Sequence, residues 1–179
     1  MVKAISRTDP IPAAANDGAT GKVAMREFSR SLPMALLRAR EAVMRQFRPS
    51  LREAGLTEQQ WRILRALSAI DQIEISELAR ETFLLGPSLS RILRDLEARR
   101  LVQRRSPQSD LRRGLVSLTP AGLSLLNAVA PISEAIYAEI TRRFGAENLE
   151  VLHGMLQALE TELRDMPVEQ GRAAEQIDD

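Results

Sequence analysis

The sequence predicts a mainly α-helical fold with a small β wing, in which a winged helix-turn-helix lies between N- and C-terminal dimerisation helices. Two observations lead to this prediction. Residues 86–119 read as a short amphipathic helix followed by a basic hairpin, and the segments on both sides carry apolar stripes at helical spacing. The predicted organisation is a tail at 1–30, a folded region at 31–164 and an acidic tail at 165–179.

The elements before the hairpin are predicted from local signals. Residues 1–30 mix Ala, Pro, Gly, Asp and Thr without periodicity, which indicates a disordered tail. A first helix is expected at about 32–54. Thr57 and Gln60 then have the spacing of a capping box, which opens the helix that starts the winged helix region of about 56–119.

A short strand and a short helix are expected next, because Ile73 and Ile75 indicate the strand and Ser76 can cap a helix at 77–82. Gly86 and Pro87 then start the most informative helix of the chain. Its apolar residues recur at helical spacing: Leu89, Ile92, Leu93 and Leu96.

Two β-like runs follow this helix, Leu101–Arg104 and Leu115–Leu118, and a polar turn joins them. A helix with small hydroxyl and arginine side chains, followed by a basic hairpin, is typical of a winged helix-turn-helix. Such a helix fits a DNA major groove, which is roughly 12 Å wide, and the hairpin reaches the neighbouring backbone or minor groove. The predicted partner is therefore double-stranded DNA.

The C-terminal part predicts two long helices. Thr119 is expected to cap the first, with Pro120 at its first position, and Pro131 is expected to kink it. The last helix spaces five leucines alternately by three and four, as in a coiled-coil seam: Leu149, Leu152, Leu156, Leu159 and Leu163. The outer helices, about 32–54 and 120–164, carry more apolar surface than a winged helix alone can cover. We expect an intertwined homodimer that reads a palindromic operator; a helical subdomain folded back within one chain is the alternative.

The charge distribution supports a phosphate-binding surface. The chain has 25 basic and 24 acidic residues, a net charge of only +1. Residues 86–119 nevertheless hold eight arginines against three acidic residues, and residues 165–179 hold five acidic residues against one arginine. A neutral total thus hides a basic patch on one element, as expected of a DNA-binding surface. A solvated charged face is the plainer interpretation of such a run.

The composition excludes much other chemistry. There is no cysteine and one histidine, so no disulfide, thiol chemistry or multi-histidine metal site is available within one protomer. Aromatic residues make up 3% of the chain, too few for the stacking platforms of a single-strand binder. No apolar run of about 20 residues and no signal peptide pattern was found, so we expect a cytoplasmic protein without a membrane contact, a metal or a cofactor. No nucleophile–base pair can be proposed from the sequence, so we do not expect an enzyme.

These features resemble the MarR family of winged-helix regulators over roughly residues 32–163. The wing matches the family's D-x-R at 110–112 and its L-T-x-x-G at 118–122. Segments 39–42, 47–49, 56–62 and 87–89 are similar to the branch that represses operons for the breakdown of homoprotocatechuate and related aromatic acids. One departure is Arg100, where the family has a glycine before the first wing strand. A left-handed backbone there would cost an arginine about 1 kcal/mol or more.

The resemblance implies roles for the basic side chains. It places Arg112 in the minor groove, held by Asp110, which is also a plausible turn residue that caps its own backbone. Arg104, Arg105 and Arg113 are predicted to contact phosphates. The recognition helix offers base and phosphate contacts from four residues: Ser88, Ser90, Arg91 and Arg94.

Arg40 is the unusual residue of the first helix, because it lies on a face of apolar side chains. A guanidinium buried there needs a partner, and bidentate pairing with a carboxylate suits its geometry. One interpretation is a salt bridge to the partner subunit or a snorkelling side chain. The other, favoured by resemblance to aromatic-acid sensors, is an anchor for an aromatic carboxylate effector with Met44 and Trp61 as walls, although Trp61 also fits a plain core position.

Two functions therefore stay open at this point. The first is a dimeric transcriptional regulator, a repressor of an aromatic catabolic operon that a small aromatic carboxylic acid releases from DNA. The second is a DNA-binding regulator without a small-molecule effector, controlled by abundance or by a protein partner. Binding of a pocket ligand distinguishes them.

Overall fold

The computed structural model describes Met25 and residues 27–105 and 114–167. The predicted fold class is confirmed: the chain is mostly helical with a small antiparallel sheet. Six α-helices and three strands occur in the described part: α1 (Leu32–Glu53), α2 (Glu58–Leu67), β1 (Ile73–Glu74), α3 (Ile75–Thr82), α4 (Gly86–Ala98), β2 (Val102–Arg105), β3 (Leu115–Leu118), α5 (Pro120–Phe144) and α6 (Ala146–Arg164). The chain divides into two compact units, one up to Arg45 and one from Gln46.

The first unit contains a short 3-10 helix and the first part of α1. The 3-10 helix, Phe28–Arg30, lies at the end of the predicted disordered tail, so that expectation is wrong for these three residues. Arg38 explains the order, because its guanidinium donates a hydrogen bond to the carbonyl of Ser29. Residues 1–24 and 26 lie outside the described part.

The second unit is built around α2, α3 and α4. The capping box that opens α2 is present as predicted: the Thr57 hydroxyl accepts from the Gln60 amide at 3.1 Å, and the Gln60 side chain accepts from the Thr57 amide at 3.0 Å. Large aliphatic side chains from the three helices form the core, and seven of them are at most 1% exposed: Ile63, Leu64, Leu67, Leu78, Leu89, Leu93 and Leu96.

The start of α3 differs from the prediction. The helix begins at Ile75, which was expected in a strand, and Glu74 rather than Ser76 precedes its first residue. Pairing of β1 with β3 explains the shift, since Ile73 faces Val116 and Glu74 faces Leu115, and the Ile75 amide donates to the Gly114 carbonyl at 2.9 Å.

The three strands form one antiparallel sheet in the order β1-β3-β2. The first wing strand is Val102–Arg105, one residue later than predicted, because Leu101 closes the end of α4 by donating its amide to the Leu96 carbonyl at 2.9 Å. Val102 pairs with Leu118 and Arg105 with Leu115. The wing therefore begins with β2 shortly after α4 ends, and β3 pairs with β2 before the chain continues into α5.

Thr119 joins the wing to α5. Its hydroxyl accepts from the Gly122 amide at 3.1 Å, as predicted for a cap, and shares its hydrogen between the carbonyls of Arg100 at 2.6 Å and Leu101 at 3.0 Å. A Cβ at Gly122 would lie 2.1 Å from the Leu101 carbonyl oxygen, so no larger residue fits there without a shift of backbone. This close approach is the physical reason for the glycine that ends the L-T-x-x-G segment.

The helices α5 and α6 leave much apolar surface uncovered. Within the described part, α5 is long and apolar enough to cross a membrane by length and composition, with a mean hydropathy of 1.2 over 18 residues. The expectation that no apolar run reaches that length is therefore wrong for α5. It is one helix through Pro131, and it buries four residues: Gly122, Leu126, Val129 and Ser133. No residue of α6 is buried in the isolated chain.

Candidate nucleic-acid interface

The recognition helix α4 presents one apolar and one polar side. Its leucine and isoleucine residues point into the core and are 0–6% exposed. Their burial fixes which side faces outward, and the predicted contact residues are all exposed on it: Ser88, Ser90, Arg91 and Arg94. This side combines hydroxyl groups, which can donate or accept, with guanidinium groups that match guanine or phosphate.

The cations near α4 differ in how free they are. Arg91, Arg94 and Arg105 form no ion pair with a described carboxylate, so their charge is available to a phosphate. Arg104 instead pairs with Glu97 of α4 through Nε at 2.8 Å and through Nη2. These hydrogen bonds hold the pKa of Glu97 below its usual range. Arg104 therefore links the wing to the recognition helix through an ion pair, and it is also one of the residues predicted to contact phosphates.

A small cleft separates α2 from α4. Its volume is about 200 Å³, and its lining includes the cap of α2 and the outward residues of α4: Thr57, Gln59, Gln60, Leu84, Ser88, Arg91, Ile92 and Asp95. Ser88 and Arg91 thus border α2, whereas Ser90 and Arg94 do not line the cleft. The predicted contact residues are divided between two neighbouring parts of one surface.

The predicted wing-tip contacts Asp110, Arg112 and Arg113 lie outside the described residues. The base of the wing lies within the described residues, and hydrogen bonds fix its backbone. Arg100 adopts φ 59°, the left-handed conformation that the family's glycine implied. Its amide donates to the Glu97 carbonyl at 2.8 Å, and its own carbonyl accepts from the Thr119 hydroxyl at 2.6 Å. An arginine therefore holds a left-handed backbone at the entry to the wing.

The turn that leads into α4 holds residues that were not predicted as contacts. Phe83 and Leu85 are 84% and 79% exposed. The apolar run Phe83–Leu85 before Gly86-Pro87 is the signal that would have identified them, because a solvated turn has no need of three large apolar residues.

The predicted effector residues of the first unit lie on an exposed helix face. Arg40 is not buried, since 44% of its side chain is exposed, and its Nη1 lies 2.7 Å from Oε1 of Glu41. The expectation of a buried guanidinium is therefore wrong for the isolated chain, because the apolar neighbours Leu36, Leu37 and Val43 are themselves 40–47% exposed. Met44 is half-buried on the same helix.

The second unit contains a separate aromatic arrangement. Trp61 is 8% exposed, and the guanidinium carbon of Arg65 lies 6.0 Å from its ring centroid, within cation–π range. The rings of Phe47 and Tyr137 are 5.0 Å apart at 57°. Arg65 was not predicted, although its position four residues after Trp61 on one helix was a readable signal.

Among the described residues, no group of three or more His, Cys, Asp or Glu side chains could hold a metal ion. Several acidic residues instead pair with arginines. On α5, hydrogen bonds from Arg142 and Arg143 lower the pKa of Glu139 to about 2.

Comparison with known proteins gives consistent results. The family model of the MarR family matches residues 54–113. The chain is 41% identical over 127 residues to the homoprotocatechuate degradative operon repressor of Escherichia coli, an alignment that covers 71% of this chain and 86% of that protein.

Two solved structures are similar in both fold and sequence. The structure of NadR in complex with 4-hydroxyphenylacetate has a TM-score of 0.66 and 36% identity, and the match covers 76% of this chain and 97% of that chain. The structure of the transcriptional repressor CouR bound to a 23-mer DNA duplex has a TM-score of 0.68 and 28% identity, and the match covers 78% and 99%.

Proposed function

The chain belongs to the MarR family of DNA-binding transcriptional regulators, not to an enzyme family, and we propose that it represses an operon for the breakdown of aromatic compounds. One observation carries the DNA-binding part of the proposal. The polar side of α4 exposes hydroxyl and guanidinium groups beside a basic wing strand, and two of these arginines, Arg91 and Arg94, have no described carboxylate partner. The similarity to a repressor solved on a DNA duplex supports placing this side against DNA.

Salt dependence tests the DNA-binding surface. If a dimer neutralises about eight phosphates, the logarithm of affinity falls with the logarithm of salt at a slope near −7. Arg105→Ala should make the slope shallower by about one for each phosphate that the variant no longer neutralises. Arg164→Ala is the matched control, because Arg164 pairs with Glu160 on α6. A slope near zero on every duplex would overturn the proposal.

The wing tip is tested by Arg112→Ala. The family resemblance places this residue in the minor groove, where losing the guanidinium should weaken binding substantially. Arg172→Ala in the acidic tail is the control and should have no measurable effect. Equal DNA affinity of the two variants would contradict a role of Arg112 in binding. The α4 contacts would then be tested separately by the salt experiment.

We further propose that a small aromatic carboxylate releases the protein from its operator. The support is the identity with a repressor of a homoprotocatechuate operon and with a protein solved in complex with 4-hydroxyphenylacetate. Homoprotocatechuate and 4-hydroxyphenylacetate each join an aromatic ring to a carboxylate. A site for such a molecule needs an apolar or aromatic wall and a cation.

Two arginines can supply the cation. Arg40 is the residue proposed from the sequence, with Met44 and Trp61 as further contacts, and in the isolated chain it pairs with Glu41. Arg65 lies over the Trp61 ring and forms no ion pair with a described carboxylate. An aryl carboxylate would accept hydrogen bonds from Arg65 at the edge of the Trp61 site, or it would displace Glu41 from Arg40.

Thermal shift with phenolic and aryl carboxylic acids, 4-hydroxyphenylacetate first, tests the effector. Ligand at 100 times its Kd stabilises a folded protein by about 2.7 kcal/mol, a readily measured rise in Tm. Arg40→Ala and Arg65→Ala are compared side by side, and the variant that loses the shift while still binding DNA identifies the anchor. Absence of a shift with any acid would favour the regulator without an effector.

The proposed assembly is a cytoplasmic homodimer on a palindromic operator, since a two-fold protein matches a two-fold site and dimerisation is typical of the family. The ligand can release DNA only if it prefers a conformation with misplaced recognition helices. Coupling free energies of this kind are about 1–3 kcal/mol, so operator binding should weaken about 5- to 150-fold at saturating ligand.

A further inference from the structure

The turn between α3 and α4 carries two large apolar side chains that the chain leaves almost uncovered. Phe83 and Leu85 are 84% and 79% exposed. Single exposed apolar residues are ordinary on protein surfaces. These two, however, are separated by one residue and stand immediately before Gly86, the first residue of the recognition helix.

Both residues also depart from local structural preference. Phe83 ends α3 with φ 51° and ψ 42°, a left-handed conformation that glycine or asparagine normally supplies at a helix end. Leu85 occupies the N-cap of α4, where the side chain of Ser, Thr, Asn or Asp would accept a backbone hydrogen bond, and its own side chain accepts none. Neither residue gains burial in return. Departures without a local gain are expected at functional positions.

The backbone that bears these side chains is held firmly. The Arg62 guanidinium donates to the Thr82 carbonyl at 2.8 Å, and the Leu84 amide donates to the Ala79 carbonyl at 3.0 Å. Thr82 is fully buried, with its hydroxyl donated to the Leu78 carbonyl. The exposed side chains of Phe83 and Leu85 are therefore displayed from a fixed turn.

We propose that Phe83 and Leu85 contact thymine methyl groups and so specify thymine at the part of each half-site that meets the start of α4. The C5 methyl of thymine is the apolar group that base edges display in the major groove. Residues at the N-terminal end of a recognition helix are those that reach base edges. Phe83 and Leu85 precede the exposed Ser88 and Ser90 of the proposed DNA-contact helix by only a few residues, so operator DNA is the occupant that we assign to them. This inference rests on the proposed placement of α4 in the major groove.

The test removes the methyl group and the side chain in turn. Duplexes that the full-length wild-type protein selects from a random pool supply the half-site, and each thymine in it is replaced singly by deoxyuridine. Anisotropy at fixed salt should show about fourfold weaker binding at one or two positions, the effect of losing one buried methyl. Leu85→Ser and Phe83→Gly should bind the thymine duplex more weakly and lose the sensitivity to uracil at those positions.

Both variants suit the local backbone, so misfolding does not obscure the result. Leu85→Ser introduces a cap and Phe83→Gly relieves the left-handed conformation, and each should raise Tm by about 2–4 °C. Met166→Ala, an exposed apolar residue after α6, is the control and should retain the wild-type uracil profile.

The outcomes separate this inference from the proposed function. A uracil profile that is flat for the wild type, or unchanged in both variants, overturns thymine reading and leaves the turn as a contact for a protein. Failure of the wild type to select any duplex overturns DNA binding by α4 as well.

Discussion

The helices α4 and α6 both carry a leucine stripe, but the stripe of α4 is buried within the chain and the stripe of α6 is exposed. In α4, Leu89, Leu93 and Leu96 are 0% exposed, because α2, α3 and the wing strands cover them. In α6, which contacts α5 of the same chain, Leu152 and Leu156 remain 39% exposed and no residue is buried. The same pattern therefore indicates which face needs to be covered and leaves open which chain covers it.

This difference predicts that the stability of the two regions depends differently on protein concentration. The winged helix has a core that one chain completes, so its free energy of unfolding should depend little on protein concentration. The faces of α5 and α6 expose apolar surface that a partner would cover, so their stability should follow mass action. We propose that the partner is a second copy, in agreement with the dimers typical of the family.

The largest expected effect is on the α6 face. Leu156→Asp places two like charges in the seam of a homodimer, at a cost of about 4 kcal/mol or more, which weakens dimerisation about a thousandfold. Sedimentation at micromolar concentration should show monomers. Gln157→Asp adds the same charge next to the seam and should leave the dimer intact. An unaltered dimer for Leu156→Asp would mean that α6 is covered within one chain.

The next effect is in the core of α4. Leu93→Ala removes a fully buried side chain, and such changes cost about 2–5 kcal/mol through lost burial and a cavity. Denaturation of the monomeric Leu156→Asp background isolates this cost from dimerisation. A loss below 1 kcal/mol there would contradict a core that one chain completes.

Much of the fold could be predicted because its signals are local. Thr57 and Thr119 place the starts of α2 and α5, since a capping side chain needs only residues within one turn. The start of α3 could not, because pairing of β1 with β3 across some 40 residues of sequence ends the strand at Glu74. The backbone of Arg100 could not be predicted either, because the family's glycine favoured a left-handed conformation and the arginine opposed it; the structure has φ 59° there.

The candidate site was predicted less fully than the fold. Periodicity located the outward side of α4, but periodicity says nothing about pairs between elements. The ion pair of Arg104 with Glu97 joins a strand to a helix and was missed for that reason. The exposure of Arg40 was missed because a stripe of apolar neighbours predicts burial without saying whether the covering surface belongs to the same chain.

A smaller effect is expected at the base of the wing. Arg100 holds φ 59° between α4 and β2, and a left-handed non-glycine residue costs about 1 kcal/mol. Arg100→Gly should therefore raise the free energy of unfolding by up to about 1 kcal/mol in the winged helix, with dimerisation unchanged. Gly55 has φ 65° after α1, so Gly55→Ala is the reverse control and should destabilise. A destabilised Arg100→Gly would show that the arginine side chain contributes more than its backbone costs.

The smallest effect is a pH dependence that also separates the two regions. Hydrogen bonds from Arg104 lower the pKa of Glu97 in the winged helix, and those from Arg142 and Arg143 lower the pKa of Glu139 on α5 to about 2. A lowered folded pKa stabilises the protein fully above the ordinary value of about 4.5, and the contribution falls as pH drops toward the folded pKa.

Exposed pairs of this kind contribute little to the free energy of unfolding, so the measurement is a difference between variants. The free energy of unfolding of the wild type minus that of Glu97→Gln should be constant from pH 7 to about 5 and should shrink below about 4.5. Because the folded pKa of Glu139 is about 2, the difference for Glu139→Gln should still be shrinking at pH 3. In the monomeric background both differences should persist, since each pair is formed within one chain. A Glu97 difference that does not change between pH 7 and 3 would mean that the ion pair with Arg104 does not hold the wing against α4 in solution.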